Sequence, residues 1–335
     1  MQAARDRRSG MYPSPLIVAL SGFACAASQL AISADEYPTK PVKVVVAFAP
    51  GSTSDVTARR VGQLMAVQLK QAVVVENRPG ASGGIASVLV STAKPDGYVL
   101  LWCNQATHGA NPALHRNLNY DALKDFAPIV RVATSPVVIT VNSALPTRSL
   151  SDFIALAKAK PATLRYASAG NGSLTHILGE LLARRAGISL VHVPYKGDAL
   201  GMNDAVGGHV EMFLSTPFLV LPQVKANRLH ALAVTGPGRL PALASVLTLT
   251  EAGIAGADLM SWGGLCAPAR TPRAVIEKLN QVASDAFLAP DLRTDFESQG
   301  YEVTPNSPQQ FAAFIKREIA HLTKLVNELG IQADE

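Results

Sequence analysis

Residues 40–50 read KPVKVVVAFAP, a nearly unbroken β-branched run closed by a proline. A strand with one wet face alternates apolar and polar side chains, so a run like this belongs in a parallel sheet covered on both faces. The next residues narrow the choice. GSTSD makes a corner of small side chains, and VTARRVGQLMAVQLK then places apolar residues at helical spacing. AVVVENRPG, GGIASVLVSTAK and GYVLLWCN repeat the cycle of strand, helix and strand. It recurs through PVVITV, SLSDFIALAKAK, LRYAS, LTHILGELLARRAG, LVHVPY, ALGMNDAVGG, VEMFLST and LHALAVTG. Such alternation predicts α/β layers joined by right-handed crossovers. TPRAVIEKLNQVASDAFLA and SPQQFAAFIKREIAHLTKLVNELG close the chain as helices.

A length of 335 residues suits two domains of ordinary size. Both ends read as one lobe and the middle as another. The expected exit from the first lobe is near Val141, and the return is near LMSWGGLCAP. Residues 35–141 and 261–335 then form lobe one and 142–260 lobe two, with a cleft between the carboxyl ends of their strands. The net charge of +5 is diffuse, its one dense cluster being Arg5, Arg7 and Arg8. No basic stripe interleaved with aromatics is present, so nucleic acid is not an expected partner.

That basic cluster begins a different pattern. MQAARDRRSGMYPSP is a positive segment, LIVALSGFACAA a short apolar one, and AISADE supplies small residues for a cut. Residues 1–34 therefore read as a secretory signal, cut near Ser33 or Ala34 or earlier around Ala26, so the mature chain is expected to be exported. The apolar run is shorter than the ~20 residues of a membrane span, the alternative being a retained anchor. Lipid attachment at Cys25 is a weak reading, because Gly22 stands where an apolar residue is needed. Cys103 and Cys266 remain in the mature chain; they can pair in an exported protein, but apolar strand cysteines are more ordinarily free core residues. No CxxC or HExxH spacing exists, so no metal is expected.

Three corners share one design: Ala49–Asp55, Ser168–Ser173 and Leu214–Pro217. In the first two, small residues precede a helix start, where backbone N–H groups lack partners and the helix dipole favours an anion. Gly170, Asn171, Gly172 and Ser173 thus read as an anion socket, or more blandly as a helix start that Ser173 or Asn171 merely caps. Asp55 either faces a ligand or caps the helix at Val56. Gln105 and Thr107 are candidates for the rim of lobe one, Ser135 lies before the crossover, and Thr216 and Pro217 follow a lobe-two strand. Tyr195 and Lys196 suit a packed turn, and Trp262 suits hinge packing, better than ligand contact. GASGG at Gly80–Gly84 matches the elbow G-x-S-x-G of serine hydrolases, but Asn77, Arg78 and Pro79 separate it from its strand, so Ser82 is a poor nucleophile. His176 and Glu180 stand i, i+4 and suit a structural pair or a site-facing histidine rather than a metal.

Four segments make these residues familiar: YPTKPVKVVVAFAPGSTSDVTARRVGQLM, VVVENRPGASGGIASVLVSTAKPDGYVLL, YASAGNGSLTHILGELLARRAGISLVHVPYKG and WGGLCAPARTPRAVIEKLN. Together they resemble the Bug-type solute-binding proteins, receptors of tripartite tricarboxylate transporters, from about Tyr37 to Ile331. The resemblance implies an α/β periplasmic-binding-protein fold of two lobes, each a sheet flanked by helices, closing on a small carboxylate. It implies a monomeric receptor without cofactor or catalysis that delivers its ligand to membrane permease subunits. It places the ligand on Phe48, Pro50, Gly51, Ser52 and Asp55 of the first corner, and on Ser168, Ala169, Gly170, Asn171, Gly172, Ser173 and His176 of the second. Ser52, Thr53 and Ser54 depart from the family's usual second glycine, bringing hydroxyls where backbone is normally bare. Rival expectations are a sensory binding protein of the same fold and a periplasmic carboxylate-ester hydrolase.

Overall fold

The computed structural model describes residues 37–331 except Arg116; the segment read as a secretory signal, with Cys25, lies outside them. In chain order the elements are β1 (Val42–Val46), α1 (Thr53–Leu69), β2 (Val73–Asn77), α2 (Gly84–Ser91), β3 (Val99–Asn104), α3 (Asn111–Leu114), β4 (Phe126–Ser135), β5 (Val138–Asn142), α4 (Leu150–Ala159) and β6 (Arg165–Ser168). They continue with α5 (Leu174–Ala186), β7 (Val191–Pro194), α6 (Asp198–Val206), β8 (Met212–Ser215), α7 (Pro217–Lys225), β9 (Leu229–Val234), β10 (Ser261–Pro268), α8 (Arg273–Leu288), α9 (Pro290–Ser298) and α10 (Pro308–Leu329).

Two five-stranded sheets result, ordered β2-β1-β3-β10-β4 and β7-β6-β8-β5-β9. The opening run behaves as its composition requires. Val44 and Val46 pack one face of β1 against α1 and α8, through Met65, Leu279 and Phe287. Val45 and Ala47 pack the other face against Ala86 and Val90 of α2 and Phe311 and Ile315 of α10. With a period of two, this strand is apolar on both sides because both sides are covered. In the second sheet, Ile139 and Val141 meet Phe153 of α4 and Leu178 of α5. Val138 and Phe213 meet Ala205 of α6 and Val220 of α7 on the opposite face. Each fully buried Phe or Leu contributes about 1.5–3 kcal/mol.

Three results differ from expectation. The chain changes sheets at Pro136–Val137, since β5 pairs antiparallel with β8 and β9; Val141 lies inside that second-sheet strand. A strand that leaves one sheet and enters the next with hardly a turn gives no loop signal to mark the boundary. Nor does α10 stay with lobe one. Phe311 and Ile315 sit in the first lobe's core, whereas Leu322, Leu325 and Val326 join the second lobe's. At 22 residues it is roughly 33 Å long, enough to brace both. Cys103 and Cys266 are also not free: they form a disulfide between β3 and β10. These strands are antiparallel neighbours, with Cys103 opposite Gly264 and Cys266 opposite Leu101, a proximity invisible at a separation of 163 residues. Their sulfurs lie with a nitrogen of buried His108 within 4.8 Å, but are bonded to one another.

Candidate functional site

Strand ends build the site. The carboxyl ends of β1, β3, β6 and β8 open onto one cavity between the two sheets. Phe48 and Ala169 wall it, one from each lobe. The remainder is largely hydroxyl and amide: Ser52, Thr53, Ser54, Asn104 and Gln105 from lobe one, and Ser173, Thr175, Ser215 and Thr216 from lobe two. Among the described lining residues there is no lysine, arginine or histidine, and the single ionisable side chain is Asp198.

Four helix starts face this space: α1 at Thr53, α5 at Leu174, α6 at Asp198 and α7 behind Thr216. The first N–H groups of a helix have no carbonyl one turn back, and each helix end adds roughly 0.3–1 kcal/mol of attraction for an anion. The field is therefore suited to a carboxylate without any cationic side chain.

The two principal corners are built alike. Ser52 caps α1 by accepting from the Asp55 amide at 3.3 Å, and Ser173 caps α5 by accepting from the His176 amide at 3.2 Å. In each corner, that third helical residue folds its side chain back on the glycine before the cap. The Gly51 amide donates to Asp55 Oδ2 at 2.9 Å, and the Gly172 amide donates to His176 Nδ1 at 3.0 Å. Both glycines have positive φ, +79° and +69°, which is why glycine stands there.

This construction corrects several assignments. The amides expected to be bare in the second corner are engaged: Gly170 donates to Ser168 Oγ at 3.1 Å, Gly172 to His176, and Ser173 to the Gly170 carbonyl at 3.0 Å. Leu174 and Thr175, the next two residues, begin α5 and border the cavity with helix-start amides. Asp55 faces away from it, buried among Gly51, Arg59 Nε and Asn77 Nδ2. Burial alone raises its carboxyl, but hydrogen bonds from Arg59, Gly51 and Asn77 outweigh that and hold its pKa below the ordinary value. His176 stacks on His192 with ring centroids 4.0 Å apart, and Glu180 accepts from the Tyr166 hydroxyl at 2.6 Å. Pro50 and Gly51 are exposed, and Ser168, Ser135 and Pro217 are buried outside the cavity lining. Phe48, Ser52, Gln105, Ala169, Ser173 and Thr216 do line it; Gln105 is fixed by donating to the Met260 carbonyl at 2.7 Å. Thr107 is fully buried and serves the Asn104 backbone.

Gly170, Asn171 and Gly172 border a second space, with Gly80–Gly83, Tyr195 and Lys196, that shares Phe48 and Ala169 with the first. Here the lobes touch. Ser82 Oγ donates to the Asn171 carbonyl at 2.5 Å, and the Ala49 amide donates to the Lys196 carbonyl at 3.1 Å. A hydroxyl committed to this bridge is badly placed for nucleophilic attack.

Asp198 was not legible as a site residue, and Thr53 and Ser215 were legible only as members of their corners. Asp198 is 9% exposed and accepts from Thr53 Oγ1 at 2.7 Å, Ser215 Oγ at 2.9 Å and the Thr53 amide at 3.3 Å. The only available signal was its position after YKG, where Gly197, at φ +139°, lets the turn approach the Ala49 backbone.

The family model described as tripartite tricarboxylate transporter family receptor matches residues 57–331. Protein BugT of Bordetella pertussis is 32% identical over 94% of this chain and 97% of its own. Among solved structures, an R. palustris protein with adipate has a TM-score of 0.85 at 32% identity, covering 88% of this chain and 99% of that one. MatC from Rhodopseudomonas palustris, with bound malate, has a TM-score of 0.83 at 31% identity, covering 87% and 100%.

Proposed function

Because the chain belongs to the tripartite tricarboxylate transporter receptor family, a family of solute-binding proteins, we propose that it captures a small carboxylate between its lobes and passes it to the membrane subunits of such a transporter. The single observation that carries this reading is the convergence of the α1, α5, α6 and α7 starts on one hydroxyl-lined cavity without a cationic side chain. Solved relatives with adipate and malate support the ligand class. The protein works as a monomer in the periplasm after residues 1–34 are removed, without cofactor or chemical turnover. Among the described residues no helix is long and apolar enough to cross a membrane.

The test is a thermal-shift screen of hydroxy, amino, di- and tricarboxylic acids, followed by calorimetric titration of hits. A ligand at ~100 times its Kd adds about 2.7 kcal/mol, or about 5–10 °C at ~2–4 °C per kcal/mol. No shift with any carboxylate at millimolar concentration sinks the proposal.

A further inference from the structure

The start of α1 already holds an anion, and that anion belongs to the protein. Thr53, the first residue of α1, gives both its amide and its hydroxyl to Asp198 of the other lobe. Ser215 adds a third donor. The contact is one a ligand carboxylate would make at a helix start: two oxygens, one backbone N–H and two hydroxyls. Asp198 is also buried, and it is the one ionisable side chain among the described cavity residues.

From this we infer that Asp198 occupies the place of a ligand's second carboxylate, so that the cavity selects monocarboxylates whose far end is a hydrogen-bond donor or a cation. The inference rests on the carboxylate-receptor reading above and adds which carboxylates are admitted. Two physical points carry it. A second ligand carboxylate reaching the α1 start finds the Thr53 amide and hydroxyl taken and meets a like charge in a largely buried site. A hydroxyl or ammonium there finds an acceptor instead. A carboxylate offers about four lone-pair positions. Thr53 Oγ1 and Ser215 Oγ both bond Oδ2, whereas Oδ1 receives only the long Thr53 amide bond. Oδ1 therefore keeps capacity for a ligand donor. The free carboxylate of such a ligand goes to the opposite wall, where Leu174 and Thr175 begin α5.

The experiment titrates the purified chain calorimetrically with matched sets at several lengths, aliphatic and aromatic. Each set holds a dicarboxylate and its hydroxy-ended and amino-ended monocarboxylate analogues. In at least one set, the hydroxy- or amino-ended acid is expected to bind the native chain about tenfold or more tighter than its dicarboxylate. Asp198→Asn keeps the shape and removes the charge, and is expected to shrink that ratio about tenfold or reverse it. Dicarboxylates binding as well as their analogues in every set overturn the inference while leaving the receptor reading intact. A ratio unchanged in folded Asp198→Asn overturns it equally. Should that variant fail to fold, the native chain's own ranking decides. Absence of binding by every carboxylate overturns the receptor reading, and this inference with it.

Discussion

The corner that starts α1 and the corner that starts α5 share a plan and differ in what completes them. Each has a left-handed glycine, a capping serine and a third helical residue whose side chain returns to the glycine amide. At α1 the returning side chain is a carboxylate tied to Arg59 and Asn77; at α5 it is an imidazole stacked on His192. Beyond the cap, Asp198 meets the α1 start, whereas the described cavity lining sets no ionised group against the α5 start. Similar sequence signals therefore yield one corner compensated within the protein and one facing the cavity. A pattern of glycine and serine specifies a helix start with usable amides; it does not specify who uses them.

The largest expected effect separates the corners by pH. Burial, with His176 adding to it, pushes His192 down to about 3. Unfolded, it takes its proton near 6.5. Its stabilising effect is therefore full above pH 6.5 and is lost as pH falls towards 3, at up to about 1.4 kcal/mol per pH unit. Asp55 is depressed from a value of 3.8, so its contribution is full above that pH and is lost only below it. His108, also pushed to about 3 by burial, and His230, lowered less, share the upper window. His192→Gln is thus expected to remove roughly half of the fall in Tm between pH 6.5 and 4, leaving the fall below pH 4. Asp55→Asn should do the opposite. Melting curves across pH decide the matter, and an unaltered slope in His192→Gln breaks the comparison.

What was legible here follows from range. The strand run at Val42–Val46, the helix spacings and the positions of the corners are properties of neighbouring residues, and they stand in the structure. What was not legible depends on which distant segments meet. The Cys103–Cys266 bond needs β3 beside β10. The double role of α10 needs both cores to be in place. Asp198 looks like an ordinary acid in the first turn of a helix, a favourable position in any protein, and only Thr53 across the cleft reveals its second role. The amides of Gly170 and Gly172 looked bare because the folding back of Ser168 and His176 is a matter of rotamer, not of composition.

A middle-sized effect tests the two glycines. Alanine at Gly51 or Gly172 has to adopt positive φ, costing ~1–2 kcal/mol in either corner. An added Cβ at Gly51 finds its nearest neighbour at 3.9 Å, but at Gly172 it lies 2.6 Å from Leu114 Cδ1. Gly172→Ala should therefore lower Tm further than Gly51→Ala, by whatever it costs Leu114 to move its terminal methyl aside. Equal losses would mean that Leu114 yields freely and that the second corner is no more tightly enclosed than the first.

The smallest effect concerns the two caps, and it divides stability from binding. Ser52→Ala and Ser173→Ala each remove one cap, so each should cost a similar ~0.5–2 kcal/mol of stability. Binding should not follow that symmetry. Ser173 lines the cavity next to Leu174 and Thr175, where the proposed ligand carboxylate lies. Losing its neutral hydrogen bond is worth on the order of 0.5–1.5 kcal/mol, a weakening of about tenfold or less. Ser52 lines the same cavity, but beside the helix start that Asp198 already occupies. Its loss is expected to change affinity by no more than about twofold, the residue of a slightly frayed first turn. Calorimetric titration of both variants with one monocarboxylate, beside their melting curves, measures the difference. Equal weakening by the two alanines would place a ligand carboxylate at α1 as well as at α5, and the contrast between the corners would then be one of architecture alone.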